Sequence, residues 1–105
     1  MEQPPKSVLI TGCSKGGIGD ALAQEFHRRG LLVFPSARNL AKMAHLEAMG
    51  LEVVQLDISD PGSISAAVAK IHGRTGGRLD FVVNNAITGI GTPAIPFLGA
   101  SSVMR

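Results

Sequence analysis

Short apolar runs alternate along this chain with segments in which apolar residues recur at helical spacing. The runs occupy residues 8–10, 31–34, 51–56 and 79–83. Runs of this length and character are typical of buried strands in a parallel sheet. The intervening segments predict helices, so the order of elements is β-α-β-α-β-α-β. This alternation indicates an α/β fold with a parallel sheet, right-handed crossovers and helices on both faces.

Capping residues mark where the predicted elements begin and end. Pro35 is expected to stop the second strand, and Asn39 is expected to cap a second helix that ends at Gly50. Asp60 followed by Pro61 predicts the start of the third helix. The apolar stripe of that third helix follows helical spacing over Ile64, Ala67, Val68 and Ile71.

The part of the chain after the fourth predicted strand differs in character from the rest. No residue from Asn84 to Met104 is charged, and glycines and prolines interrupt any regular pattern. We therefore predict two parts, a nucleotide-binding half-domain over residues 1–86 and an irregular segment over residues 87–105. We expect the second part to be foreign to the domain in front of it.

Composition narrows the class of protein. The chain has 105 residues, of which 45% are hydrophobic and 17% charged, and this balance predicts one folded domain. The ten Lys and Arg residues are scattered rather than gathered into a stripe, which argues against a nucleic-acid partner. A single cysteine excludes an internal disulfide and favours a reducing, intracellular compartment. Neither a metal-ligand cluster nor a signal peptide or membrane span is expected.

A glycine-rich segment joins the first predicted strand to the first predicted helix. It runs from Thr11 to Gly19 and reads Thr-Gly-Cys-Ser-Lys-Gly-Gly-Ile-Gly. Glycines at such a turn permit close approach of a pyrophosphate, and the following helix offers free N–H groups. The residues predicted to contact the cofactor here are Gly12, Ser14, Lys15, Gly17, Ile18 and Gly19. The alternative is a turn that only reverses the chain.

This motif resembles the first turn of the short-chain dehydrogenase/reductase family, Thr-Gly-x-x-x-Gly-x-Gly, with one extra residue. The resemblance covers residues 6–86 and implies a Rossmann-type doubly wound sheet with strand order 3-2-1-4. The Cys-Ser-x-Gly-Gly-Ile-Gly form is similar to that of fungal-type 1-acyldihydroxyacetone-phosphate reductases, which reduce a lipid ketone with NADPH. That subgroup implies a role in lipid metabolism and an association with the endoplasmic reticulum or lipid droplets.

The end of the second strand indicates which nicotinamide dinucleotide binds. An acidic residue there selects NAD, but the chain has no Asp or Glu between Glu25 and Glu47. Arg38 stands near that position and suits a 2′-phosphate, with Ser36 and Lys15 as further donors. We therefore predict NADP(H). The alternative is that Arg38 and Lys15 are merely solvated.

Two further segments match the family. Asp57 follows the third strand, where the family places an aspartate against the adenine amino group; its alternative role is to begin the turn before the next helix. Asn84, Asn85 and Ala86 match the Asn-Asn-Ala-Gly motif, with Ile87 in place of its glycine. We assign Asn85 to a cofactor contact and Asn84 to a structural hydrogen bond.

The family's catalytic Ser, Tyr and Lys lie downstream of this motif, and this chain contains no tyrosine. No catalytic residue is therefore predicted, since a general acid must lie within reach of the reacting oxygen. We expect a truncated carbonyl or alcohol oxidoreductase that is inactive by itself. The alternatives are a non-catalytic dinucleotide-binding fragment and an unrelated α/β nucleotide binder.

Expected partners follow from the half-sheet. Full-length relatives are expected to be homo-oligomers. In this chain the fourth strand would form an exposed apolar edge through which copies could associate.

Overall fold

The structure is a computed structural model that describes residues 5–85 and the backbone of residues 100–104. Its strands are β1 (Ser7–Ile10), β2 (Leu32–Ala37), β3 (Val54–Gln55), β4 (Leu79–Val83) and β5 (Ala100–Met104). Its helices are α1 (Ile18–Arg28), α2 (Ala44–Ala48) and α3 (Pro61–Thr75), and a 3₁₀ turn over Leu40–Met43 precedes α2. The predicted alternation of strands and helices is confirmed.

All strand pairs in the sheet are parallel, and the strand order is β3-β2-β1-β4-β5. The first four strands therefore take the predicted order 3-2-1-4. The chain reverses direction along the sheet after β3, so β1 and β4 lie side by side. The strand order therefore reverses between β1 and β4, and ligands of open α/β sheets bind at the carboxyl ends of the strands at such a switch point.

Two apolar cores cover the two faces of the sheet. Alternate residues of a strand point to opposite faces, and accordingly Val8 and Ile10 belong to one core and Leu9 to the other. The first core packs under α1 and α2 through Ala23 and Leu46. The second packs under α3, whose inward residues are Ala67 and Ile71. This is the layered α/β architecture that the sequence predicts.

Pro35 does not stop β2, contrary to the prediction from the sequence. Strand β2 continues to Ala37, and Pro35 is paired with Ile10 in the register with β1. Backbone groups of β2 alternate between its neighbours: Ser36 accepts from Cys13 on the β1 side, and Ala37 accepts from Leu56 on the β3 side. Pro35 therefore faces β3, which pairs with β2 only from Ser36 onward. Its missing N–H costs the sheet no hydrogen bond.

The predicted caps are confirmed, although the second helix is built differently. The Asn39 side chain accepts from the Ala41 amide at 2.9 Å, and the Asp60 side chain accepts from the Gly62 amide at 2.9 Å. The segment after Asn39 begins as a 3₁₀ turn. The positions that face the core therefore differ from those of a continuous α-helix. Helical spacing of the apolar residues predicts a stripe of Leu40, Met43, Ala44 and Met49 here, but Met43 and Leu46 are the buried residues, and Leu40 and Met49 are exposed.

Strand β4 is not the exposed edge that the sequence predicts. Strand β5 pairs with it in parallel, with Leu79 opposite Ala100 and Val83 opposite Met104. Residues 86–99 and 105, which make up most of the segment predicted to be irregular, lie outside the described residues. Within the described chain the outer strands are β3 and β5.

Candidate dinucleotide-binding site

The glycine-rich turn lies at the carboxyl end of β1 and leads directly into α1. Gly12 and Gly16 have φ angles of 72° and 90°, in the left-handed region that side chains other than glycine rarely adopt. Gly17 is the N-cap of α1 in an extended conformation, and no side chain caps it. The turn therefore brings its backbone, rather than side chains, to the start of the helix.

Strand β4 holds one side of this turn. The Asn85 amide donates to Thr11 Oγ1 at 2.9 Å, and Asn85 Nδ2 donates to the Gly12 carbonyl at 3.1 Å. Gly19, in the first turn of α1, packs directly against the same place: a Cβ on it would lie 3.0 Å from Asn85 Nδ2. Asn85, two residues after the end of β4, thus fixes where the turn and helix α1 meet.

Strand β2 and the segment after it hold the other side. The Cys13 amide donates to the Ser36 carbonyl at 2.9 Å, and the Lys15 amide donates to the Lys42 carbonyl at 3.0 Å. The turn is therefore hydrogen-bonded on one side to the residues at the end of β4 and on the other side to β2 and the β2–α2 connection. Both of these neighbours carry residues that the sequence predicts to contact a dinucleotide.

Free donors lie at the start of α1. In the described part of the chain, the amides of Ile18, Gly19 and Asp20 donate to no backbone carbonyl, whereas the Ala21 amide donates to Gly17. Unsatisfied amides and the positive end of the helix dipole make such a terminus suited to a phosphate. The Ile18 side chain is 71% exposed, which is unusual for an isoleucine and leaves apolar surface beside these donors.

The basic residues predicted to select the cofactor are accessible. Lys15 and Arg38 are both exposed, one on the glycine turn and the other just after β2. Ser36 is placed differently, because its side chain is buried in the sheet and Ser36 Oγ donates to the Ile10 carbonyl at 2.9 Å. The structure therefore gives the Ser36 hydroxyl a partner within the fold. Of the three donors predicted for the 2′-phosphate, Arg38 and Lys15 are the two that are exposed.

Asp57 lies near Arg38 after β3. Both residues line an open groove of about 520 Å³ that runs between the end of β2 and α3. Asp57 Oδ1 accepts from the Ser59 amide at 3.0 Å and from Ser59 Oγ at 2.6 Å. These bonds hold the pKa of Asp57 below its ordinary value, and the Arg38 charge adds to the effect. Asp57 therefore forms the turn before α3, and its contact with adenine stays a prediction.

The two asparagines after β4 have different surroundings. Asn85 makes the structural hydrogen bonds to Thr11 and Gly12, the role that the sequence suggests for Asn84. Asn84 Oδ1 is buried and has no hydrogen-bond partner among the described residues. Ala86, the third residue of this predicted motif, lies outside the described residues. A cofactor contact by either asparagine stays a prediction.

Cys13 lies within the turn but is buried. Its side chain is 0% exposed, and Cys13 Sγ is 3.3 Å from the Ile10 carbonyl oxygen. Burial raises the pKa of the thiol to about 12, and the Ser36 hydrogen bond only partly opposes this. The thiolate needed for reactivity is therefore scarce at neutral pH. No group of three His, Cys, Asp or Glu side chains in the described part of the chain is placed to hold a metal ion.

Two buried carboxylates are not predicted from the sequence. Asp20 is 6% exposed and receives hydrogen bonds from Gly16, Gln24 and His45. Asp80 is 4% exposed and accepts from the Ser7 amide at 2.8 Å. An acidic residue in the first turn of a helix or within a strand is commonly solvated, so only the fold shows that these two are buried.

The geometry defines a doubly wound α/β protein with an open glycine-rich turn at the carboxyl end of β1, where free amides suit a phosphate. The short chain dehydrogenase family model matches residues 6–101, and the chain belongs to this family. The resemblance drawn from the glycine turn and the Asn-Asn-Ala segment is thereby confirmed. Family members use nicotinamide dinucleotide cofactors.

Fungal proteins are among the similar sequences. The short-chain dehydrogenase ptmH of Penicillium ochrochloron is 50% identical over 91 residues, covering 86% of this chain and 34% of the relative. The NADPH-dependent 1-acyldihydroxyacetone phosphate reductase of Schizosaccharomyces pombe is 42% identical over 90 residues, covering 86% of this chain and 30% of the relative. The chain spans about a third of the length of these curated relatives.

Solved structures show the same fold. A short-chain dehydrogenase from Streptomyces avermitilis superposes with a TM-score of 0.71 at 33% identity, covering 82% of this chain and 32% of that chain. One from Mycobacterium smegmatis superposes with a TM-score of 0.70 at 30% identity, covering 85% of this chain and 40% of that chain. Among the helices that the structure describes, none is long and apolar enough to cross a membrane.

Proposed function

We propose that this chain binds NADP(H) as the cofactor-binding part of a carbonyl or alcohol oxidoreductase. The observation that carries the proposal is the exposed Arg38 just after β2, beside an open groove and with no carboxylate on β2 itself. A carboxylate at the end of β2 would select the ribose hydroxyls of NAD, whereas a guanidinium fits a 2′-phosphate.

The residues present fit such a cofactor. The pyrophosphate would meet the free amides of Ile18 and Gly19, and the 2′-phosphate would meet Arg38 and Lys15. No side chain at Gly16 or Gly17 obstructs the approach to these donors. The exposed Ile18 side chain would gain an apolar contact with the bound cofactor. When bound, the nicotinamide supplies or accepts the hydride, and the residues described here bind and orient the dinucleotide.

The test is a calorimetric titration of the full chain with NADPH and with NADH. We expect NADPH to bind more tightly. Arg38→Ala should weaken NADPH about 10- to 100-fold, the cost of losing a charged hydrogen-bonding partner, and should change NADH binding by less than about 3-fold. Arg74→Ala is the control, because Arg74 lies at the far end of α3 and pairs with Glu52. Equal or tighter binding of NADH by the wild-type chain would refute NADP(H) selection.

A second candidate function, a dinucleotide-binding module without turnover, is favoured by the absence of tyrosine from the chain. The proton donor that the family uses is then missing from these residues. The chain should bind NADPH without oxidising it when ketones are added. Acyl-dihydroxyacetone phosphate belongs in that panel, because a similar fungal protein carries this substrate in its name. Oxidation of NADPH with any ketone would contradict the hypothesis that the chain is a non-catalytic module.

We further propose a reducing intracellular compartment, supported by the single free cysteine in the chain. If the lipid-reductase relationship holds, the protein is recruited to the endoplasmic reticulum or lipid droplets. Cell fractionation with markers for these membranes tests the proposal. Recovery of the protein only from the medium would contradict it.

A further inference from the structure

The carboxylate of Asp20 joins three parts of the site that are separate in the sequence. Asp20 Oδ2 accepts from the Gly16 amide at 2.9 Å, on the glycine turn. Asp20 Oδ1 accepts from Gln24 Nε2 at 2.9 Å, one turn further along α1, and lies 2.7 Å from His45 Nε2 on α2. We call Asp20, Gly16 and His45 the carboxylate junction.

The Asp20 carboxylate at the centre of the junction is buried and ionised. Burial by itself raises the pKa of Asp20, but the hydrogen bonds from Gly16, Gln24 and His45 outweigh it and hold the pKa below its ordinary value. A carboxylate only accepts hydrogen bonds, so the His45 Nε2 must carry the hydrogen in this contact. The imidazole is about three-quarters buried, and solvent therefore screens its hydrogen bond to Asp20 less than it would screen a contact on the surface.

The junction acts on one section of the turn in particular. The amides at the start of α1 are fixed by the helix itself. The section over Ser14–Gly16 precedes the helix and relies on other contacts, the Lys15 amide to the Lys42 carbonyl and the Gly16 amide to Asp20. The Lys15 contact connects this section directly to the segment that follows Arg38, and the Gly16 contact does so through Asp20 and His45. Together they constrain the distance between Lys15 and Arg38, the two exposed cations predicted to meet the 2′-phosphate.

We infer that Asp20 is a positioning residue for NADP(H) selectivity, holding Lys15 in register with Arg38 through Gly16 and His45. This inference rests on the proposed function and adds a determinant outside the residues that would touch the cofactor. It also accounts for an acidic side chain close to a phosphate site. Its charge is directed to Gly16 and His45, and the free amides of Ile18 and Gly19 remain available.

Loss of the junction should impair 2′-phosphate binding more than pyrophosphate binding. Asp20→Ala should weaken NADPH binding about 10-fold, which corresponds to about 1.4 kcal/mol, and NADH binding less than about 3-fold. Asp20→Asn keeps the side-chain volume and an acceptor for Gly16, so it should fold and lose only part of the selectivity. His45→Ala should lower the NADPH-to-NADH affinity ratio, and His45→Gln, which keeps an N–H donor, should restore most of it.

Glu25→Ala is the matched control, because Glu25 lies on the same helix and pairs with Arg28 and Arg29 rather than with the junction. It should keep the wild-type affinity ratio. An independent readout is the Gly16 amide proton in NMR, which should be shifted downfield by the carboxylate in the wild type and in Glu25→Ala. It should move upfield and exchange faster in Asp20→Ala.

The outcomes separate the two proposals. A wild-type chain that does not prefer NADPH overturns the proposed function, and the inference built on it. A wild-type chain that prefers NADPH, with an unchanged ratio in folded Asp20→Ala or His45→Ala, overturns the inference alone. Equal weakening of both cofactors in Asp20→Ala also overturns it, since that result assigns Asp20 to the whole turn and not to selectivity.

Discussion

Gly19 lies against Gly12 so closely that a Cβ on Gly19 would overlap the Gly12 carbonyl oxygen. The contact joins the first turn of α1 to the turn that follows β1, and the carbonyl oxygen belongs to the backbone, so it cannot rotate away as a flexible side chain could. Gly19→Ala should therefore destabilise the protein by about 2 kcal/mol or more, because the helix must shift. Urea denaturation followed by circular dichroism measures this. Wild-type stability in Gly19→Ala would contradict the close packing.

Gly73 provides the opposite case on another helix. It lies within α3, and a Cβ there would meet no atom within 4 Å. Gly73→Ala should stabilise the protein by about 0.5–1 kcal/mol, because alanine has the higher helix propensity and restricts the unfolded chain. The same denaturation experiment tests it and serves as the control for Gly19→Ala. A loss of stability here would show that the α3 surface is covered in solution.

Asp80 should make stability depend on acid pH. Burial raises its pKa, but hydrogen bonds from Ser7 and the Arg78 guanidinium outweigh this and hold the pKa below its ordinary value. The stabilisation is therefore present above the unfolded-state pKa of about 3.9 and is lost as pH falls through the lower folded-state pKa. Denaturation at a series of pH values between about 2 and 6 should show this loss.

Asp80→Asn should flatten that acid dependence and destabilise the protein at neutral pH by about 1–3 kcal/mol, the range for a broken buried hydrogen-bond network. Asp20 titrates in the same direction, so the variant should reduce the dependence without abolishing it. Glu47→Gln, at an exposed position on α2, is the control and should match the wild type. An Asp80→Asn profile identical to the wild type would exclude Asp80 as the source.

Cys13 should resist thiol reagents in the folded protein. Its pKa of about 12, raised by burial, leaves almost no thiolate at neutral pH, and the sulfur is shielded from solvent. Labelling with a chromogenic disulfide should be slow in buffer and rapid in urea. Ionisation of the unfolded thiol above about pH 9 should also favour unfolding, since the folded protein retains its proton up to the higher pKa. Rapid labelling of the native chain would refute the buried placement.

The sequence predicts the fold well because the signals for it are local. Apolar runs and caps such as Asn39 and Asp60 depend on neighbouring residues, and the structure confirms them. Pro35 shows the limit: whether a proline is tolerated in a strand depends on which neighbour its missing N–H would face, and that is fixed only by the pairing of β2 with β3. Strand β5 likewise depends on pairing between residues about twenty positions apart.

The candidate site divides in the same way. The glycine turn, Lys15 and Arg38 are recognisable from their positions beside predicted strands. Other features of the site depend on contacts between residues that are distant in the sequence. These are the burial of the Ser36 hydroxyl, the bonds of Asn85 to the turn and the contact of Asp20 with His45. Asp20 contacts His45, which lies 25 positions further along the sequence, and no pattern within either helix predicts the contact.

The bonds from Asn85 to Thr11 and Gly12 have a consequence for how the chain acquires its site. They join positions more than seventy residues apart, near the two ends of the described domain. Contacts of such high sequence separation carry a large loop-closure cost and typically form late. A nascent chain released before β4 has paired with β1 would therefore carry the complete glycine motif. Its turn would still lack the hydrogen bonds from Asn85 that fix its conformation.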